Sequence, residues 1–266
     1  MDEINLLRSL SNNLPKIKYF GIFGELIAKW YNRKERKPVY ISSIGVNFFL
    51  EPDQCVDRAI IFYPQLWDHK EFTFLKNILK PGDTFIDLGA NIGFYSLRVA
   101  QILNGSGRIL SIEGDTYNYK KLCKNISLNP SLKNIDTVNI GVSDKIERID
   151  FFVNLDGNYG GNSFVRSSDN CDIVSVNCEP LSLILLNNDI GKIDVLKIDI
   201  EGFEFKVLSE FFANADRAKF PKYLIIEYND LLVKLSDGDV LELMSSVGYE
   251  VIHKFGMNII AKLSND

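Results

Sequence analysis

The chain has 266 residues, 46% of them hydrophobic, and a formal net charge of −5. That is enough apolar material for one large α/β domain with a full core, and the acidic balance argues against a nucleic-acid phosphate backbone as partner. The cysteines at 55, 123, 171 and 178 show no C-x-x-C spacing and no ligand grouping with His69 and His253, which points to inert thiols in a reducing compartment.

The start, MDEINLLRSL, lacks the basic head and apolar core of a signal peptide, and no apolar run approaches the roughly 20 residues of a spanning helix. A cytoplasmic location is expected. Residues 1–80 read as an N-terminal helical and β-hairpin extension. Helical spacing runs over 4–10 and 16–31, with Pro15 suited to a first turn. The second helix carries Phe20, Phe23, Leu26, Ile27 and Trp30 and ends in the run RKERK. It reads as a cap on the main domain, and it leaves open a peripheral membrane or protein contact. Segments 39–42 and 47–50 form a hairpin with a slightly long loop, and 67–79 is a helix leading into the main domain.

Residues 81–266 alternate strand and helix. The turn pair Pro81-Gly82 precedes a short apolar strand ending at Leu88, then a glycine turn, then a helix over 94–103. Strand 108–112, helix 117–128, strand 137–140, strands 149–153 and 173–177, helix 181–187, strand 193–198, helix 203–212, strand 223–227 and helix 239–247 follow. Strands 249–253 and 258–262 close the chain around Gly256. Such alternation predicts a mostly parallel sheet with helices on both faces and an antiparallel terminal strand.

The glycine turn, DLGANIG from Asp87 to Gly93, lets the backbone approach a ligand and points a helix N-terminus at any negative group. It lacks the middle glycine of a dinucleotide fingerprint and the Gly-Lys-Ser/Thr of a phosphate loop. Glu113, closing the second strand, is placed to accept hydrogen bonds from ribose hydroxyls. In DVLKIDIEGFE, Lys197, Asp199 and Glu201 point the same way along a strand, and paired carboxylates with an ammonium mark a wet or ligand-filled rim. Glu227 and Asn229 share a side at the end of the next strand. The loop 154–171 is rich in Asn, Gly, Ser and Asp, which suits a hydroxyl-bearing ligand.

Acid-x-Gly-x-x-x-Gly resembles motif I of class I S-adenosylmethionine methyltransferases. DLGANIGFYS with LKIDIEGFE resembles the FkbM family in particular, as do the segment from Glu113 to Asn125, with Gly114 where proline is usual, and IIEYN. The resemblance spans about Leu79 to Ala261 and implies the Rossmann-like seven-stranded sheet of that class. It implies S-adenosylmethionine as cofactor, held by Asp87, Gly89, Ala90, Asn91, Gly93 and Glu113, with Ser143 and Asp144 near the adenine and Asp199 nearby. It also implies O-methylation of a sugar, glycan or polyketide-type hydroxyl, a small-molecule or glycan acceptor. An alcohol acceptor benefits from a general base, for which Asp199 comes first, Glu201 second and Glu227 third. A divalent ion on Asp199 and Glu201, and a homo-oligomer, stay open. So do a non-catalytic scaffold that binds the same cofactor, which would not need the crowded carboxylates, and a nicotinamide oxidoreductase, which would need the missing glycine.

Overall fold

The structure, a computed structural model, describes residues 3–12, 26–28, 30–31, 36–154, 171–200, 202–228 and 238–264. Its centre is a seven-stranded sheet. The strands are β3 (Thr84–Leu88), β4 (Arg108–Ile112), β5 (Ile135–Val138), β9 (Val195–Ile198), β10 (Tyr223–Glu227), β11 (Tyr249–Phe255) and β12 (Asn258–Leu263). They run in the order β11-β12-β10-β9-β3-β4-β5. The five strands from β10 to β5 are parallel, and β12 slots antiparallel between β10 and β11. Strand order reverses on leaving β3, toward β4 on one side and β9 on the other. The carboxyl ends of β3 and β9 therefore open the crevice where such sheets take ligands.

The strands are buried on both faces, so consecutive residues feed two separate cores. Phe85, Ile109, Val195 and Ile225 face one core, and Ile86, Leu110, Leu196 and Leu224 face the other. The first core is closed by β1 (Val39–Ser43), β2 (Val46–Leu50), α1 (Glu3–Asn12), α2 (Cys55–Phe62), α3 (His69–Ile78) and α4 (Phe94–Leu103). The second is closed by α6 (Leu181–Asn187), α7 (Glu204–Asn214) and α8 (Val240–Ser246). Helix α5 (Thr116–Ser127) follows β4, and β6 (Gly141–Ser143), β7 (Glu147–Asn154) and β8 (Cys171–Pro180) form a smaller sheet in the order β6-β8-β7.

Several boundaries differ from the sequence expectation. The N-terminal hairpin turns tightly through Ile44 and Gly45, both at positive φ (49° and 80°), rather than through a longer loop. Helix α2 was not expected, because its buried run Ala59-Ile60-Ile61-Phe62 hides the helical period. Of the expected strand 137–140 only 137–138 are strand, at the end of β5; residues 139–140 are irregular and lead into β6, which belongs to a different sheet. The amide of Asn139 at the break donates to the carbonyls of Glu113 and Gly114. Helix α3 starts at His69, not at 67, because Asp68 is left-handed (φ 47°). The larger part of the helix expected over 16–31, most of the RKERK run, Glu201, Asn229 and loop residues 155–170 lie outside the described residues. No helix among the described residues is long and apolar enough to cross a membrane.

Candidate active site

The turn between β3 and α4 is held first by backbone hydrogen bonds. The N–H groups of Gly89 and Ala90 both donate to the Ile112 carbonyl at 3.0 Å, and the Gly93 N–H donates to Ala90. Gly89 has φ +74°, and a Cβ there would stand 1.9 Å from the Asp199 carbonyl oxygen. Only glycine lets β3 and the strand end beside it approach this closely. The next N–H, that of Asn91, donates to Glu113 Oε2 at 2.7 Å, and Asp115 N–H donates to Oε1 at 2.8 Å. Burial pushes the Glu113 carboxyl up to about 7 despite these two bonds.

Asp87 lies beneath the turn, fully buried. Its Oδ2 accepts from Ser96 Oγ at 2.6 Å, while Oδ1 has no partner among the described residues. It stands beside Lys197 in the β3–β9 register. Lys197 is 5% exposed, donates to Asp199 Oδ2 at 2.9 Å and sits 4.7 Å from the Tyr95 ring centroid. Burial alone would raise the Asp199 carboxyl; Lys197 and a hydrogen bond with Glu227 instead hold it below the ordinary carboxylate value. Asp199 is therefore ionised at neutral pH.

Gly89, Asn91, Glu113, Asp199 and Glu227 border one cavity of about 510 Å³ at the carboxyl ends of β3, β4, β9 and β10. One half has an apolar slot of Ile112, Ile140, Val142 and Val176, beside a polar wall of Asn91, Glu113, Asp115 and Asn118. The Asn91 and Asn118 side-chain amides have no hydrogen-bond partner among the described residues, and buried Asp115 Oδ2 has none either. The other half is walled by Val56, Trp67, Asp68, Asp199 and Glu227, with Phe255 to Asn258 of the terminal hairpin. Asp68, Glu113, Asp115, Asp199 and Glu227 give the lining five carboxylates, and no Lys, Arg or His lines it among the described residues.

This lining fits S-adenosylmethionine. An apolar slot suits an adenine, and spare acceptors on Glu113 and Asp115 with two unpaired amides suit ribose hydroxyls. An acidic lining suits a cofactor whose net charge is positive, a sulfonium and an ammonium against one carboxylate.

Of the residues expected at the cofactor, Gly89, Asn91, Glu113 and Asp199 line the cavity, as does Glu227. Asp87, Ala90 and Gly93 stand behind that surface and shape the turn. Ser143 and Asp144 are placed differently. Ser143 Oγ donates to Glu147 Oε1 at 2.6 Å, and Asp144 pairs with Lys206 at 3.0 Å, so the cavity is lined there by Ile140, Gly141 and Val142 instead. His253 stacks on Phe255, outside the lining. Sequence reasoning missed Trp67, Asp68, Asp115, Asn118 and the hairpin residues. Asp115 and Asn118 lie within the Glu113 to Asn125 segment that carried the resemblance, whereas Trp67, Asp68 and the hairpin residues left no local sign of a place at the site.

The model of the "Methyltransferase FkbM domain" family matches residues 87–251. The chain is 29% identical over 157 residues to Methyltransferase sdnD of Sordaria araneosa, covering 48% of this chain and 60% of that protein. It thus spans about three fifths of this curated relative's length. Among solved structures, methyltransferase FkbM from Methylobacillus flagellatus KT is 17% identical at a TM-score of 0.46, covering 77% of this chain and 54% of that one. The METTL16 methyltransferase domain shares the fold at 13% identity and a TM-score of 0.50, covering 84% and 75%. With a family match over more than half its length, the chain belongs to the FkbM family of class I, S-adenosylmethionine-dependent methyltransferases.

Proposed function

We propose that the chain O-methylates a hydroxyl of a small polyhydroxylated molecule, such as a sugar, a glycan end or a polyketide-type product. The supporting observation is the continuity of the cavity: the half suited to a nucleoside runs without a partition into one walled by Asp68, Asp199 and Glu227. When bound, S-adenosylmethionine supplies a methyl group already activated on a sulfonium. The protein has to place the acceptor oxygen in line with it, exclude water and remove a proton.

Placement can contribute up to about 7–11 kcal/mol at the ideal limit, and a general base typically about 10²–10⁴-fold. Trp67 and Phe255 offer apolar walls that keep water from the acceptor half. Ionised Asp199 and neighbouring Glu227 offer hydrogen-bond acceptors to hydroxyls, with Glu201, two residues on in the sequence, as a further candidate.

Isothermal titration with S-adenosylhomocysteine, run beside NAD, is the first test, followed by labelled-methyl transfer to neutral sugars and macrolides. Micromolar binding of the homocysteine compound alone, and label on a hydroxyl oxygen, are the expected results. Binding of NAD alone would overturn the cofactor assignment, and label only on nitrogen or carbon would overturn the O-methyl reading.

A further inference from the structure

Asp68 lies outside residues 87–251, the stretch matched by the family, yet it stands on the same cavity wall as Asp199 and Glu227. Its position is that of a helix N-cap, where an aspartate ordinarily accepts from an N–H of the first turn and contributes about 1 kcal/mol. Asp68 makes no such bond. Its backbone is left-handed (φ 47°), a conformation that a non-glycine residue holds only at a cost, and one that clusters at functional sites. The carboxylate is turned away from its own helix. Oδ2 accepts from the Tyr95 hydroxyl at 2.9 Å, and Oδ1 has no hydrogen-bond partner among the described residues.

Resting on the O-methyl reading, we propose that Asp68 is the base that takes the proton from the acceptor hydroxyl, while Asp199 stays a fixed negative charge that orients it. The acceptor oxygen forms its bond to the methyl carbon as the carbon–sulfur bond breaks, and that electron pair stays on the sulfur. The hydroxyl proton passes to Asp68 and then to solvent.

The two acids differ in what protonation would cost. Taking up a proton at Asp199 would break its pair with Lys197, 2.9 Å away. Around Asp68 the titratable groups are Glu71 on α3, Tyr95 on α4, and Lys197 and Asp199 at β9. Glu227 and Cys55 share the cavity wall. Burial first, then the charge of Glu71, raise the Asp68 carboxyl to about 6, against the weaker opposing pulls of Tyr95 and Lys197. A base with its pKa near the working pH is the more effective proton acceptor.

The test compares the full-length chain with Asp68→Asn, Asp68→Glu and Asp199→Asn. Homocysteine-compound affinity should stay within twofold in the Asp68 variants, which shows that they fold. On a hydroxyl acceptor, Asp68→Asn should lower kcat by about 10²–10⁴-fold. It should also abolish the rise of rate with pH through about 6, and Asp68→Glu should restore part of both. Carboxyl-carbon NMR, with the Asp68 signal assigned by its loss in Asp68→Asn, should show a midpoint near 6 with no acceptor present. A midpoint below ~5, close to an unperturbed aspartate, would overturn the proposal. So would Asp68→Asn turnover within threefold of the parent on a hydroxyl acceptor. Transfer by the parent chain to non-hydroxyl atoms alone would sink the O-methyl reading instead.

Discussion

Gly89 shows how one residue constrains the site. Its φ of +74° alone would cost a Cβ-bearing residue about 1–2 kcal/mol, and the Cβ would also overlap the Asp199 carbonyl oxygen at 1.9 Å. Gly89→Ala should therefore push β3 and the end of β9 apart, lowering the melting temperature and weakening S-adenosylhomocysteine binding at least tenfold. Calorimetric titration at unaltered affinity would remove the turn from the cofactor site. Glu113 makes a second prediction, about pH. Its folded pKa, about 7, lies above the ordinary 4.5, so folding favours the protonated form. The stability it contributes is fully present below about 4.5 and is lost as pH rises through about 7. That loss is on the order of 3 kcal/mol, read as the change with pH in the difference between parent and Glu113→Gln urea midpoints. Ribose hydroxyls donating to Glu113 would favour its ionised form, so homocysteine-compound affinity should climb from pH 6 to 8 in the parent and stay flat in Glu113→Gln. Rising affinity in both would assign the titration to another group.

Among the elements, the contact between the N-terminal hairpin and α5 is built from side chains that imitate a strand. Asn129 accepts from the Asn47 N–H and donates to the Asn47 carbonyl, while Asn125 accepts from the Phe49 N–H. The open edge of β2 is thus satisfied by amides rather than by another strand. Beside it, Lys121 reaches Asp57 at 2.6 Å and Glu51 at 2.9 Å, with Asp57 only 1% exposed. Burial raises the Asp57 carboxyl even with Lys121 present, so the ammonium is what makes a charge tolerable there. Lys121→Met should cost about 3–5 kcal/mol by stranding that carboxylate, and adding Asp57→Asn should return part of it. Urea midpoints of the two variants decide this. Equal midpoints would mean that the pair is not coupled. This lock is invisible in the sequence, because Glu51, Asp57 and Lys121 become neighbours only through packing. The glycine turn and LKIDIEGFE, by contrast, are contiguous strand-to-turn segments whose chemistry is written locally. Asp68 falls between these cases: its position beside a helical run signals a cap, and only the left-handed backbone reveals that it does something else.

For the whole molecule, the sheet and its helices were legible because β and α periods alternate plainly after Pro81. The way residues 39–79 join them was not, since no local pattern says which face of a sheet an extension covers. Val46, Phe48, Leu50, Ile60 to Phe62, Phe72 and Leu75 share one buried cluster with Phe85, Phe94, Leu97 and Ile109. This stretch also brings Cys55, Val56, Trp67 and Asp68 to the cavity. One face of the central sheet, and one wall of the site, thus depend on residues before the glycine turn. Deleting residues 1–80 would expose that face of α4 and the sheet together, and large exposed apolar surface is incompatible with a well-ordered soluble monomer. The shortened chain 81–266 should unfold without a cooperative transition, bind a hydrophobic dye and fail to bind S-adenosylhomocysteine, although every glycine-turn residue remains. Circular-dichroism urea melts beside titration calorimetry would measure this. A cooperative melt with retained micromolar binding would mean that the cofactor half folds alone, and that residues 39–79 serve only the acceptor. Loss of both is expected, because the apolar side chains beneath the glycine turn are packed by the same residues that carry Asp68 to the cavity.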